Sequence, residues 1–359
     1  MNPYRLFSDR AYVFDSNKKI KKNTVAYDIV THIIDESKID LDVEDIYFIG
    51  GNQDYDEYKI SDKDFLYTLK LSLDEDCEIL KNEITFLESN KNFPLCPIYL
   101  DSGKVRIGDN ILFLISTFED GFDIRDIGIL SPIENWDSFF YTLHHFSNLK
   151  TERSIDQYVD LVFNRNLPQN WSDFLKIKIS NTHDIDILSD MFSVIQGELN
   201  NNFDKTILLK DKTCHGDLTL KNVIFRDEYY KFKNIGFNFI GNPIIDVCMF
   251  SLSSGYSIDD STLFFKKYCD YNEIDFLSSK DEFDYCMKFS VCLFLGRIFF
   301  DFLVEQCVFS GERPEKLAEF ATDFSKFSHF LKKYKNLSEV GTVVGRVITS
   351  PILGYSKQS

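Results

Sequence analysis

The sequence is poor in residues that break regular structure. Its 8 prolines and 16 glycines in 359 positions, with no Gly-x-y period and no low-complexity segment, exclude a collagen-like or disordered chain. Positive charge is also short: 40 Lys and Arg stand against 57 Asp and Glu, a net charge of −17. Such a surface repels nucleic-acid phosphates and anionic lipid headgroups, and no basic patch overrides it, so nucleic acid is not an expected partner. The one basic cluster, Lys18, Lys19, Lys21 and Lys22, is expected to be a solvated turn. No Cys-x-x-Cys pair occurs among the 8 cysteines, and no His lies at metal-ligand spacing from them, which argues against a zinc module. Reduced, buried thiols of a cytoplasmic protein are expected instead. Unbroken apolar runs are missing too. The most apolar stretch, 289–308, carries Arg297, Asp301 and Glu305 and is expected to be a core helix and no membrane span. The opening MNPYRLFSDR has no apolar h-region, so no signal peptide is expected.

What is plentiful is aromatic and aliphatic: 35 Phe, 18 Tyr and 44% hydrophobic residues overall, enough for a substantial core. The length suits about two domains or one two-lobed unit.

From Asp45 the pattern is strand-rich. Asp45-Ile-Tyr-Phe-Ile-Gly-Gly runs into a glycine pair, Tyr58-Lys-Ile returns, and Phe65 to Lys70 makes a third strand. An acidic helix start at Ser72-Leu-Asp-Glu-Asp precedes apolar residues at helical spacing, Ile79, Leu80, Ile84 and Leu87. Lys104–Ile107 and Ile111–Phe118 are two more strands, joined by a Gly-Asp-Asn turn. The expected order is β-β-β-α-β-β. After Gly121 the periodicity is helical (Trp136–Leu149, Ser154–Phe163, Ile185–Leu199, Ser261–Tyr334), interrupted by strands and loops between Leu208 and Val247. The expected fold class is α+β. Expected boundaries are an N-terminal extension and helix over 1–44, a small five-stranded antiparallel lobe over 45–118, a larger mainly helical lobe over 119–334, and a tail over 335–359. The tail's glycines weaken its periodicity, and it is expected to be partly mobile or draped on the surface.

The stretch Cys214-His215-Gly216-Asp217-Leu218-Thr219-Leu220-Lys221-Asn222-Val223-Ile224-Phe225 carries the chemistry. His-x-Asp, with Asn five positions after the Asp, matches a phosphoryl-transfer loop: Asp orients the incoming hydroxyl and Asn holds a magnesium ion. One short loop can present both a carboxylate at the nucleophile and a metal-binding oxygen. Upstream, Lys70 ends a strand, and Glu83 sits on the inner face of the next helix, where a carboxylate needs a partner; Lys70 is the expected one. Glu83 at the rim with a snorkelling Lys70 is the plain alternative.

The span from about Asp45 to Tyr334 resembles the aminoglycoside phosphotransferase and choline kinase superfamily, with its two-lobed protein-kinase-like fold. The segments that carry the likeness are Gly50-Gly51, Leu69-Lys70, Glu83, Thr117-Phe-Glu-Asp-Gly121, His215-Gly-Asp217 to Asn222, and Asn242-Pro243-Ile-Ile-Asp246-Val, in the family's order. The resemblance implies ATP and magnesium as cofactors and a small molecule as substrate. Gly50 and Gly51 would cover the nucleotide phosphates, Lys70 and Glu83 would hold them, and Ser116 to Phe118 would line the adenine cleft. Asp217 would be the catalytic base and Asn222 a metal ligand, with His215 and Asp246 bracing the loop.

One motif departs from the family. Where members carry Ile-Asp-Phe or Ile-Asp-Trp, with the Asp as principal magnesium ligand, this chain has Asn234-Ile235-Gly236-Phe237-Asn238, which sets Gly236 at the metal position. Glycine offers no side-chain oxygen. Three readings follow: a pseudoenzyme that binds nucleotide or a partner, an enzyme in which Asn238 supplies a substitute oxygen, or a substituted form of an active parent. The expected function is an ATP-dependent phosphotransferase acting on a hydroxyl of a sugar, amino-sugar or choline-like molecule, slow for want of the Asp; the alternative is a silent nucleotide- or partner-binding protein. Acidic clusters at Asp259-Asp260, Glu273 with Asp275, and Asp281 to Asp284 suit a cationic acceptor, although solvated surface is the commoner use. A protein kinase proper is disfavoured by the lack of Asp-Phe-Gly and Ala-Pro-Glu segments.

Overall fold

The computed structural model describes residues 18–22, 24–51, 54–63, 65–119, 121–123, 136–163, 170–201, 205–226, 228–307 and 314–349. The chain forms two compact units, one of Met1–Arg153 with Lys212–Ile240, the other of Ser154–Asp211 with Gly241–Ser359.

The first unit holds β1 (Lys18–Lys19), α1 (Val25–Glu36), β2 (Asp45–Gly51), β3 (Asp56–Asp62), β4 (Phe65–Ser72), α2 (Glu78–Ser89), β5 (Tyr99–Ile107) and β6 (Asp109–Thr117). Then come β7 (Phe122–Asp123), α3 (Asp137–Ser147), β8 (Thr213–Cys214), β9 (Val223–Arg226), β10 (Tyr229–Phe232) and β11 (Phe239–Ile240). The main sheet runs β1-β2-β3-β4-β6-β5, antiparallel throughout. Its five long strands and α2 follow the order expected from the sequence. The added edge strand β1 is a correction, since Lys18 and Lys19 pair with Phe48 and Tyr47 of β2, and the Lys19 ammonium bonds Asp45. The basic cluster therefore begins as sheet and not as a solvated turn.

Strand alternation sends one row of side chains to each face. Tyr58, Ile60, Leu69, Leu71, Phe113 and Ile115 pack against Ile29, Val30, Ile33 and Ile34 of α1, whose start is capped by Thr24 accepting from the Tyr27 amide at 3.2 Å. The opposite row of β4 and β6 includes Thr68, Lys70, Leu114 and Ser116, all buried. α2 lies against β5 and β6 and buries Ile79, Leu80, Glu83, Phe86 and Leu87.

Two small antiparallel assemblies complete the unit, β10-β9-β7 and β11-β8. Val223 of β9 faces Phe232 of β10, and Cys214 of β8 faces Phe239 of β11. The loop from β8 to β9 (215–222) and the segment from β10 to β11 (233–238) thus join the same two assemblies and run side by side.

The second unit is helical: α4 (Ile155–Phe163), α5 (Trp171–Lys178), α6 (Thr182–Asn201), α7 (Lys205–Leu208), α8 (Ile244–Ser254), α9 (Ile258–Tyr271), α10 (Phe276–Cys307), α11 (Pro314–Lys333) and α12 (Lys335–Thr349). α10 is buried on all sides from Phe289 to Phe300, as a central core helix is. Among the described residues no helix is long and apolar enough to cross a membrane.

The tail expectation is corrected for 335–349, which form α12 with Leu337, Val340, Val343, Val344 and Ile348 buried. Gly341 and Gly345, which weaken the pattern in sequence, sit where a Cβ would strike Leu331 and Phe324 of α11, so they allow close helix approach. Residues 350–359 lie outside the described residues.

The acidic clusters are used locally. Asp260 closes a capping box with Ser257, Asp275 accepts from the Ser278 amide at 2.8 Å at the start of α10, and Asp284 pairs with Lys333 at 2.7 Å. All eight cysteines are free, and only Cys307 is half-exposed. Burial raises the thiols of Cys77 and Cys307 to about 11 and that of Cys269 to about 12. Ellman's reagent at neutral pH is therefore expected to titrate at most Cys307 in the native protein and all eight thiols in urea; rapid reaction of three or more in the native state would contradict this packing.

Candidate functional site

The site is assembled within the first unit from β4, α2 and the two parallel-running loops. Lys70 on β4 is 3% exposed and Glu83 on α2 is 1% exposed. The Lys70 Nζ donates to Glu83 Oε1 at 2.7 Å and Oε2 at 2.8 Å, so the expected pair forms and the snorkelling alternative is overturned. Burial is the largest single influence and lowers the Lys70 pKa, but the charges of Glu83, Tyr55 and Glu57 and the hydrogen bond to Glu83 together outweigh it, and the net shift is upward. The ammonium also lies 5.0 Å from the centre of the Tyr55 ring, whose hydroxyl is pushed up by burial.

The third bond of the Lys70 ammonium goes to Asn234 Oδ1 at 2.9 Å. Asn234 Nδ2 donates to Asn222 Oδ1 at 3.0 Å, and Asn222 Nδ2 donates to Asp217 Oδ2 at 2.9 Å and to the Asp217 carbonyl at 2.7 Å. Both amide orientations are forced from the ends. An ammonium has no acceptor, so Asn234 must present oxygen to it; a carbonyl has no donor, so Asn222 must present nitrogen to that. The result is one connected chain, in which Lys70 donates to Glu83 on one side and, on the other, to Asn234, which donates to Asn222, which donates to Asp217.

Local structure explains this placement. Lys233 N donates to the Asn222 carbonyl at 3.0 Å, continuing the β9–β10 ladder by one step, which sets residue 234 beside residue 222. Asn234 then adopts φ 58° and ψ 55°, a left-handed conformation that Asn tolerates and that turns its side chain back onto the loop. In the 215–222 loop, Gly216 has φ 74°, the turn that lets His215 and Asp217 face each other. The Asp217 amide donates to His215 Nδ1 at 3.2 Å, and His215 Nε2 lies 3.0 Å from the Lys233 carbonyl; a proton on Nε2 satisfies both contacts. The ring is fully buried between Phe146 and Phe232, so His215 braces the main chain of both loops. Thr219 Oγ1 is buried in the same loop with no hydrogen-bond partner among the described residues.

The other expected residues fall as follows. Gly50 and Gly51 close β2 opposite Glu57 and Asp56, past an irregularity in the ladder, and a Cβ at Gly50 would meet open space. Ser116 is a buried β6 residue paired with Thr68 and Tyr99, and the Phe118 amide donates to the Leu66 carbonyl at 3.0 Å. Asp246 is buried in the first turn of α8, in the second unit.

Two of the expected residues lie away from the Asp217–Asn222 pair. Gly236 is not beside Asp217 and Asn222 in the manner of Asn234: a Cβ on it would lie 2.5 Å from Ile79 Cγ2 and 2.6 Å from the Ile79 carbonyl oxygen, so it abuts α2. Asn238 is fully buried and turned elsewhere, with Thr151 Oγ1 donating to its Oδ1 and its Nδ2 donating to the Ile235 carbonyl at 2.7 Å. The residue that sequence reasoning missed is Asn234. Two further residues it missed hold the turn: Arg153 Nη1 and Asn82 Nδ2 donate to the Gly236 carbonyl at 2.9 and 3.0 Å.

Among the described residues the donor set of the relay is a poor match for magnesium. A magnesium–triphosphate complex asks for hard oxygens, usually one or two carboxylates besides phosphate and water. Here the relay offers Asp217 alone, since Glu83 is neutralised by Lys70, and the oxygens of Asn222 and Asn234 each accept from another member. Among the described residues no three His, Cys, Asp or Glu side chains gather to hold a metal.

No family model matches the chain, and no curated protein matches it in sequence. Solved structures do match. A choline kinase from Streptococcus pneumoniae is similar at TM-score 0.52 and 15% identity, over 88% of this chain and 100% of that one. An aminoglycoside phosphotransferase in complex with GDP and kanamycin gives 0.52 at 13% identity, over 82% of this chain and 98% of that one. A spectinomycin phosphotransferase in complex with ADP and spectinomycin gives 0.50 at 12% identity, over 88% and 98%. The chain has the protein-kinase-like fold of choline kinase and the aminoglycoside phosphotransferases.

Proposed function

We propose that this chain is a phosphotransferase that moves the γ-phosphoryl group of ATP to a hydroxyl of a small molecule, at a low rate. The observation that carries this reading is the hydrogen-bonded chain joining the buried Lys70–Glu83 pair to Asp217. A lysine on a strand, a glutamate on the next helix and an Asp-x-x-x-x-Asn loop are the parts that phosphoryl transfer uses for positioning and charge. Lys70 would hold the phosphates. Asp217 would take the proton of the acceptor hydroxyl as its oxygen bonds to the γ-phosphorus; the bond from that phosphorus to the β,γ-bridging oxygen breaks and ADP leaves. The similar structures suggest a choline-like, sugar or amino-sugar acceptor. Eight free thiols suit a reducing compartment such as the cytoplasm.

Asp217→Asn is expected to lower ADP release by at least about a hundredfold, the span of a general base, while ATP affinity stays near wild type. The measurement is coupled ADP release against a panel of choline, aminoglycosides and simple sugars. Equal turnover by the variant on an acceptor that the wild type phosphorylates would sink Asp217 as the base.

The amide at Asn234 favours a second reading, a nucleotide-binding protein without turnover. Its mark is ATP binding with no ADP release on any acceptor.

A further inference from the structure

We propose that this chain binds its nucleotide without a divalent cation, and that Asn234 is the residue that sets this preference. The proposal rests on the nucleotide-binding reading above. Asn and Asp have the same shape, so the difference at 234 lies in one atom, the Nδ2 that donates to Asn222 Oδ1 at 3.0 Å. With the amide, the oxygen of Asn222 has a donor and the chain from Lys70 to Asp217 closes with no ion. With a carboxylate, Lys70 would keep its acceptor, but an oxygen would face Asn222 Oδ1 across the same gap. Two oxygens at that separation need a proton or a cation between them.

The carboxylate form would therefore call for a metal where the amide form excludes one. A divalent ion entering the native relay would have to displace the Asn234–Asn222 bond and also the Lys70–Asn234 bond, and would gain only neutral amide oxygens beside one carboxylate. Lys70 makes three hydrogen bonds here, two to Glu83 and one to Asn234. An incoming phosphate oxygen can replace the neutral Asn234 while leaving the Glu83 pair intact, so an anion meets less resistance at this point than a cation does. The left-handed backbone at 234 accepts Asp as it accepts Asn, which keeps the exchange confined to that atom.

The test is calorimetric titration of the full chain with ATP, once in EDTA and once in excess magnesium chloride, for wild type and Asn234→Asp, with circular dichroism to check folding. Wild type is expected to bind ATP with Kd values within about threefold of each other in the two buffers, and Asn234→Asp to bind at least about tenfold more tightly with magnesium than without. Wild-type binding that is tenfold tighter with magnesium overturns the proposal and leaves the nucleotide reading standing. Absence of magnesium dependence in a folded Asn234→Asp removes Asn234 as the determinant. No heat with ATP or GTP in either buffer sinks the nucleotide reading and the proposal together. If Asn234→Asp does not fold, the wild-type comparison alone decides whether a divalent ion is needed.

Discussion

Glu83→Ala is expected to destabilise the protein by about 3–5 kcal/mol, because it strands the Lys70 ammonium in the interior without its counter-charge. Asn234 Oδ1 would remain as an acceptor, but a neutral amide does not balance a charge. The readout is the urea midpoint at constant slope. Replacing both partners, Lys70→Met with Glu83→Leu, is expected to restore a midpoint near wild type, since apolar residues of like volume remove the desolvation cost along with the attraction. That double variant separates fold from function: it should stand in urea and fail to bind ATP. A Glu83→Ala midpoint equal to wild type would contradict the buried pair.

The pH sign follows from the Lys70 shift. Its folded pKa is raised, so the stabilisation it brings is complete below the unfolded lysine value, about pH 10, and is lost only as pH climbs through the higher folded value. The difference between wild type and Glu83→Ala should accordingly persist across the neutral range.

The second large effect is at Gly236. Gly236→Asp is expected to cost at least about 3 kcal/mol, the sum of overpacking against Ile79 and the desolvation of a buried carboxylate. Gly236→Ala, which keeps the collision and lacks the charge, should cost about 1–3 kcal/mol. Neither should bring magnesium dependence to ATP binding, in contrast to Asn234→Asp. A stable Gly236→Asp that binds ATP more tightly with magnesium would overturn the placement of residues 234–238 described above.

The five long strands and α2 were legible because apolar residues recur along them, as in Tyr58 and Ile60 or Ile79, Leu80 and Leu87, although Ile84, counted with these, is only half-buried and Phe86 is buried instead. The Lys70–Glu83 pair was legible for the converse reason, a charge lying on an apolar face. What the pattern hid has physical reasons too. β1 is two residues long and both are lysine, so no apolar signal marks it; its evidence lies in the backbone ladder to β2. α12 was obscured by Gly341 and Gly345, which act through space against α11 and leave no trace in periodicity. At the site, the Ile235-Gly236-Phe237 frame draws attention to Gly236, whereas the residue that bonds both Lys70 and Asn222 is Asn234. An amide carries no charge to flag Asn234. The available signal was the hairpin count: if Val223 faces Phe232, Lys233 faces Asn222 and Asn234 follows directly after it.

α2 is held by neighbours in sequence that point in different directions. Asn82 donates to the carbonyls of Gly236 and Asn238, and Glu83 takes Lys70, while Arg153 Nη2 holds the Glu78 carbonyl at the first turn. Successive residues of a helix are rotated by about 100°, so a contact at 82 and another at 83 together fix the helix against rolling about its own axis, as one contact could not. Any roll that freed Glu83 would also tear Asn82 from two carbonyls of the turn that follows Asn234. The two contacts thus tie the geometry of that turn to the charge balance at Lys70 through one rigid helix.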